Sequence, residues 1–340
     1  FRRVLFRSLT VTFAFQKLGM LFGMARRHVG KLVTASIGIE PSVYDGRRDV
    51  CYTYDRSDLK KILPKREPDA HKGSYGKVLL IVGSPGMAGA AYFSAKAAYL
   101  AGAGLVQIYT AKENQQSLQQ LLPEAILTTY ESYEEEKLKE LLAWADVVGI
   151  GSGLSMSDTA HKLLSYTVRH SKKPCMIDAD GLNILSKDRE LLEDLTPDCI
   201  MTPHMKEMSG LCGHSVQELK EERFRYFREF FEEIPSVCVM KDARTLVGRN
   251  KLPIYVNISG NQSMAKGGAG DVLGGMIAGL LAQGMKPYEA GVLGVFLHGL
   301  AGDAAQKRKG SYSVLASDIL EGIAEVLAEE SKEAVLREKR

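Results

Sequence analysis

The chain is poor in the residues and patterns that mark special environments. Its five cysteines, Cys51, Cys175, Cys199, Cys212 and Cys238, lie far apart and form no C-x-x-C pair. That spacing excludes a disulfide frame and a zinc ribbon, and predicts free thiols in a reducing cytoplasm. Long uninterrupted apolar runs are missing. The longest apolar region, residues 272–301, is broken by Gln283, Lys286 and Glu289 and reads as two buried helices, not as a membrane span. An excess of one charge is missing too: 44 Lys and Arg face 41 Asp and Glu, dispersed, for a net charge of +3. This is a solvated surface and not the footprint of a nucleic-acid binder. Internal repeats and low-complexity tracts are absent. So is a Walker-type lysine loop or a G-x-G-x-x-G fingerprint.

What is present suits a globular protein. Apolar residues make up 45% and charged residues 25% of 340 positions, enough for one large or two ordinary domains with a sizeable core. Short apolar runs recur, each ending in a glycine-rich or polar loop. Val78–Val82 leads to Gly83, Leu105–Tyr109 to Thr110, and Val147–Ile150 to Gly151-Ser-Gly-Leu154. Cys175–Ile177 leads to Asp178, Cys199–Met201 to Thr202-Pro-His204, and Val237–Met240 to Lys241. Helical stretches lie between them, among them Ala90–Ala101 and Val216–Glu233. Continuous apolar strands alternating with helices predict an α/β fold, a central mostly parallel sheet with helices on both faces. Ligands in such sheets gather at the carboxyl ends of the strands, where most of these loops fall.

One loop carries chemistry. The run from Asn257 to Asp271 ends in Gly267-Gly268-Ala269-Gly270-Asp271, and apolar residues follow at Val272, Leu273, Met276, Ile277, Leu280 and Leu281, a helical spacing. A glycine-rich loop opening into a helix presents unpaired N–H groups and the positive end of the helix dipole, a cradle for phosphate. Asp271 would be ordinary as an N-cap. Beside a bound phosphate it repels the ligand unless it serves the chemistry, and a carboxylate that takes a hydroxyl proton next to a phosphate cradle describes phosphoryl transfer.

Gly-Gly-Ala-Gly-Asp before a helix is similar to the anion-hole motif of the ribokinase-like superfamily, and the fuller string resembles that of the ADP/ATP-dependent NAD(P)H-hydrate dehydratases. Four further segments match that branch in order: His71–Gly76, Gly83–Ala90, Thr202–Glu207 and Met240–Thr245. The resemblance covers residues 53–330. It implies a ribokinase-like fold, and an anion hole made by Gly267, Gly268, Ala269 and Gly270. It implies substrate contacts from Ala90, Gly153, His204 and Asp271, and nucleotide contacts from Lys241, Asp242, Ala243, Arg244, Thr245 and Gly270. Three departures stand out: Ser152 where the family usually has proline, Met205-Lys206 where it has Pro-Gly, and Asp242 where it has glycine.

The implied reaction regenerates NADH or NADPH from its hydrate (NADHX or NADPHX). Asp271 acts as general base on the substrate hydroxyl while ADP, with Mg2+, donates a phosphoryl group, and phosphate then leaves. The resemblance also implies a homotetramer acting in the cytoplasm. Asp178, Asp180 and Asn183 form a polar cluster after a strand that suits either magnesium-bound phosphates or the cap of the next helix; no metal ligand is assigned. Two rival readings are a vitamin-precursor kinase of the same superfamily, which stops at the phosphorylated product, and a nucleotide sensor without turnover. His71–Gly76 and Thr202–Glu207 speak against the first, and Asp271 against the second.

The N-terminal part reads differently. Phe1–Ser8 back-translates into a common sequencing-adapter sequence and is read as an assembly scar; it is too broken and too arginine-rich for a signal peptide. Thr10–Gly19 and Gly30–Ile39 resemble the closing strands of an NAD(P)H-hydrate epimerase domain. The expected organisation is therefore a scar (1–8), an epimerase remnant with linker (9–50) and the dehydratase domain (51–335). No epimerase activity is expected.

Overall fold

The computed structural model describes residues 8–338 apart from 24, 45, 48 and 49; at 41 and 331–338 it describes the backbone alone. Residues 1–7, nearly all of the segment read as a scar, lie outside the described residues. The chain divides into two compact units, Phe1–Cys51 and Tyr52–Arg340.

In the first unit, strands β1 (Leu9–Phe13) and β2 (Lys31–Ala35) run parallel, with Leu9 opposite Lys31 and Phe13 opposite Ala35. Two one-turn helices, Leu18–Leu21 and Arg26–Val29, connect them. The Lys17 ammonium closes the turn after β1 by donating to the carbonyls of Phe13 (2.7 Å) and Phe15 (2.9 Å).

The second unit is built on a sheet whose strands follow in chain order as β3 (Cys51–Tyr52), β4 (Lys77–Ile81), β5 (Leu105–Ala111), β6 (Ile126–Tyr130), β7 (Val147–Ile150), β8 (Cys175–Ile177), β9 (Cys199–Met201), β10 (Val237–Met240), β11 (Leu246–Gly248) and β12 (Ile254–Val256). Their spatial order is β3-β12-β11-β10-β9-β8-β7-β4-β5-β6. Every pairing from β10 through β6 is parallel, and β10-β11-β12 form an antiparallel flank. The predicted parallel sheet is present, and its central strands are mostly apolar and buried. Val78, Leu79, Leu80 and Ile81 of β4 are each 0% exposed. Such burial of a Val, Leu or Ile side chain stabilises by roughly 1.5–3 kcal/mol.

Helices α1 (Ala88–Leu100), α2 (Asp158–His170), α3 (Asp180–Lys187), α4 (Met205–Cys212), α5 (Ala269–Ala282), α6 (Pro287–Lys309) and α7 (Ala316–Glu338) include those that position the site. Helix α5 is buried on nearly every side, because its small residues let backbones approach. A Cβ on Gly275 would run into the Ser94 carbonyl of α1, and one on Gly279 would stand 2.5 Å from the Ala98 carbonyl. The alanines of α1, buried at Ala91, Ala95, Ala97 and Ala98, complete this close contact. It aims the N-terminus of α5 at the carboxyl ends of β7 and β8.

One expectation needs correction. The helix read over Val216–Glu233 is two, Val216–Glu221 and Arg223–Glu233, broken at Glu222 (φ −113°, ψ 38°). The break lets Leu219 of the first and Phe227, Phe230 and Phe231 of the second all reach the core. The N-cap of α5 is Gly268, and Asp271 lies in the first turn of that helix.

Candidate active site

The site forms where β7, β8, β9 and β10 end beside the N-terminus of α5. Gly268 enters the helix in the left-handed region (φ +88°), where a Cβ would meet the Phe93 ring at 2.8 Å and Ala316 Cβ at 2.9 Å. Only glycine fits. Gly267 and Gly270 carry no such constraint: nothing lies within 4 Å of a Cβ on Gly267, and one on Gly270 would face Lys241 Nζ at 3.5 Å and Asp178 Oδ2 at 3.8 Å. Upstream, Asp303 fixes the loop, accepting from Gly260 N (3.0 Å) and Asn261 Nδ2 (2.7 Å).

Lys241, the first residue after β10, reaches back across the strand ends to Asp178, the first after β8, with Nζ 2.6 Å from Oδ1. Its backbone N–H donates to the Pro203 carbonyl at 2.7 Å, which ties the β10 end to the β9 loop. Burial works against the Lys241 ammonium, but the charges of Asp178, Glu207 and Asp271 outweigh it and hold its pKa above the ordinary value. Asp271 is pushed up to about 6, first by burial and then by the charge of Asp178, while the Ser152 hydroxyl and Lys241 oppose the rise. Glu207 is pushed up to about 7, again chiefly by burial, with Lys241 opposing. One ammonium thus gathers carboxylates from the end of β8 and from the first turns of α4 and α5.

His204 caps α4. Its Nδ1 accepts from the N–H groups of Lys206 and Glu207, both at 3.1 Å, and the Glu207 carboxylate accepts from His204 N at 2.8 Å. This is a reciprocal capping box built with histidine in place of serine. Nδ1 as acceptor assigns the proton to Nε2, which lies 3.3 Å from Glu207 Oε1. Burial and the Lys241 charge lower the His204 pKa and keep the ring neutral near pH 7.

The other sequence candidates fall in two groups around this centre. Ala90 and Gly153 are brought together: Gly153 (φ +61°) leaves room where a Cβ would stand 2.9 Å from Ala90 Cβ, and its carbonyl accepts from Ser84 N at 2.6 Å. Lys241 to Thr245 form the turn of the β10–β11 hairpin. There the Thr245 hydroxyl donates to the Asp242 carbonyl (3.2 Å), Arg244 Nη1 to the Ala243 carbonyl (3.1 Å), and the Asp242 carboxylate pairs with Arg223 (2.6 Å).

The remaining cluster splits. Asp178 pairs with Lys241 instead of capping, Asp180 accepts from Ser155 N at 2.8 Å, and the Asn183 carbonyl accepts from Ser186. His71–Gly76 is not at the site: it precedes β4 and packs at the amino ends of the strands. There Gly76 (φ +71°) abuts the Ala282 carbonyl, and Ser74 and Tyr75 line a separate cavity of about 460 Å3.

Sequence reasoning passed over His298 of α6. Its Nε2 is buried without a hydrogen-bond partner, and burial lowers its pKa to about 4, with the Ala269 backbone opposing the fall. A lone histidine in an apolar helix gave no signal that it would stand under the glycine-rich loop.

A family model described as NAD(P)H-hydrate dehydratase matches residues 78–325. The ADP-dependent (S)-NAD(P)H-hydrate dehydratase of Neisseria meningitidis is 37% identical over 283 residues, 81% of this chain and 92% of that one. The bifunctional NAD(P)H-hydrate repair enzyme of Moorella thermoacetica is 37% identical over 330 residues, and the match covers 94% of this chain but only 62% of that protein's length. The crystal structure of an ADP/ATP-dependent NAD(P)H-hydrate dehydratase from Bacillus subtilis, co-crystallised with ATP and Mg2+, superposes with a TM-score of 0.71 at 26% identity, over 83% of this chain and 99% of that one. The fold is ribokinase-like, as expected. With a matching domain model and a relative matched over nearly its whole length, the chain belongs to the NAD(P)H-hydrate dehydratase family.

Proposed function

We propose that the chain restores NADH or NADPH from the hydrated cofactor, consuming ADP and releasing AMP and phosphate. The observation that carries this reading is the place of Asp271: in the first turn of α5, beyond a loop whose Gly268 position only glycine can fill, and within the field of Lys241. A binding protein gains nothing from a carboxylate at a phosphate cradle, whereas a base is required there to take a hydroxyl proton.

The chain's residues divide the work. Ala90 and Gly153 leave a surface without side-chain bulk for the nicotinamide ribonucleotide, and His204 offers a neutral ring edge beside it. The Asp271 carboxylate takes the proton of the substrate hydroxyl as that oxygen attacks the terminal phosphorus of ADP; the bond to the AMP oxygen breaks and AMP leaves with its electron pair. The N–H groups of Gly267 to Gly270 hold the charge on the transferred group. Phosphate is then a competent leaving group. The ring-nitrogen lone pair expels it, and loss of the neighbouring ring proton restores the dihydropyridine. The Lys241–Thr245 turn holds the nucleotide.

Among the described residues no three His, Cys, Asp or Glu side chains converge to cage a metal. Magnesium would enter as a companion of the nucleotide phosphates, with Asp178 and Glu207 the carboxylates that would face it, and would neutralise phosphate charge while keeping most of its waters.

The test is dihydronicotinamide absorbance with purified protein, Mg2+ and hydrated NADH, with ADP or ATP in parallel. A rise with ADP, and AMP released in step, is expected. A phosphorylated product that accumulates without the absorbance rise contradicts the proposal and points to a kinase.

A further inference from the structure

The mechanism leaves one pair of nucleophiles unused. Cys175 and Cys199 are the first residues of β8 and β9, and they stand directly opposite each other in the parallel register. Registered residues of adjacent parallel strands point to the same face, about 4.8 Å apart along the hydrogen-bonding direction. That spacing falls within the Cα separations that a disulfide bridges. The strand starts are tied together: Cys175 N donates to the Asp198 carbonyl at 3.1 Å, and Cys199 N to the Thr196 carbonyl at 3.0 Å. Neither thiol is oxidised in this structure.

We propose that Cys175 and Cys199 form a redox modification site, at which hydrogen peroxide converts the facing thiols into a disulfide that joins β8 to β9. The Cys199 sulfur attacks a peroxide oxygen, the O–O bond breaks, and a sulfenic acid forms with release of water. The Cys175 sulfur then attacks the Cys199 sulfur and displaces the oxygen as a second water. Two thiols and one peroxide give one disulfide and two waters.

Three features support Cys199 as the attacking sulfur. The neighbouring Cys175 thiol and Thr196 hold its pKa down to about 7 against burial, while Cys175 itself is pushed well up. The Thr196 hydroxyl lies 3.5 Å from Cys199 Sγ. Both cysteines are nearly enclosed, at 3% and 5% exposure, but each begins its strand, and Pro197 and Asp198 just before Cys199 are exposed. A small neutral oxidant has a short path, whereas bulky alkylating reagents do not. The third buried cysteine, Cys238, is 0% exposed and its thiol is pushed up by burial, so it makes a poor competitor.

The other ends of these strands lead into Asp178 and into Thr202-Pro-His204, and Thr202 N donates to the Ile177 carbonyl at 3.1 Å. The link would therefore act on the two strands that carry the site. The inference itself does not rest on the proposed reaction.

Native, reduced protein treated with hydrogen peroxide should be quenched in acid, unfolded, alkylated, digested without reductant and mapped by mass spectrometry. The expected result is a Cys175–Cys199 linked peptide lighter by two hydrogens, absent after dithiothreitol and absent from Cys175→Ser and Cys199→Ser proteins. In Cys175→Ser protein treated with peroxide while folded and then unfolded in the presence of a dione reagent, Cys199 should be trapped as the sulfenic acid. Recovery of both cysteines as separate alkylated or sulfinic peptides from the wild-type protein would overturn the proposal. So would a link that forms only in urea. The wild-type map decides the matter even if neither variant folds.

Discussion

Lys241 Nζ lies 2.6 Å from Asp178 Oδ1, with the two side chains 19% and 2% exposed. Residues 63 positions apart in the chain thus meet as an almost enclosed ion pair, with further carboxylates around it. A pair of this kind holds only while both members are present. Removing one leaves a buried charge and costs about 3–5 kcal/mol, whereas removing both is often close to neutral. Lys241→Met and Asp178→Asn should each lower the urea midpoint markedly, and the double variant should regain most of the loss. Strictly additive losses would show that the two side chains do not act as a pair.

Asp271 serves as a base only when ionised, and its pKa is pushed up to about 6 by burial and by Asp178. The rate at low substrate should therefore fall below about pH 6, roughly tenfold per unit, and level off above it. Lys241 is one of the groups that hold Asp271 down, so Lys241→Met should move the limb to higher pH. Glu207, at about 7, is the competing source of such a limb. Glu207→Gln should leave the midpoint near 6; its disappearance in that variant would transfer the role to Glu207.

The same shift has a consequence for stability. The folded-state pKa of Asp271 is raised above its unfolded value near 3.9, so its contribution is fully present below that value and is lost as pH rises through about 6. Asn at this position carries no charge to bury. Asp271→Asn protein should melt at or above the wild-type temperature at pH 8, and the gap should close below pH 4. Melting well below wild type at pH 8 would mean that the ionised carboxylate supports the fold.

The glycines of the loop should separate by cause. Gly268→Ala meets Phe93 and Ala316 within 3 Å at a left-handed backbone, so it should destabilise the protein and displace the loop. Gly270→Ala has no contact closer than 3.5 Å and should fold normally. It narrows the space beside Lys241 and should weaken nucleotide binding severalfold by calorimetry. Equal melting temperatures for the two variants would contradict this division.

The sequence was readable where burial is uniform. Strands β4, β7, β8, β9 and β10 show as unbroken apolar runs because both faces are covered. β6 did not, because it is the sheet edge and Ile126 is exposed. β11 and β12 did not because three residues each, Leu246–Gly248 and Ile254–Val256, are too short to display a period. The break at Glu222 carries neither glycine nor proline, and only packing demands it. The glycine loop and Asp271 were legible because backbone conformation and charge are local properties. The Asp178–Lys241 pair was not, since it exists only once β8 and β10 are placed two strands apart with β9 between them. The helix-capping role of His204 was missed for a local reason: histidine is an unusual N-cap, and the Glu207 that completes its box reads equally well as a surface charge.

The most direct test of the account is single turnover of hydrated NADH by Asp271→Asn protein with ADP and Mg2+, alongside calorimetric binding of ADP. The account predicts nucleotide affinity within a few-fold of wild type and no growth of dihydronicotinamide absorbance above the spontaneous rate. Absorbance that rises at the wild-type rate would contradict it, and the base would have to be sought elsewhere among the carboxylates around Lys241.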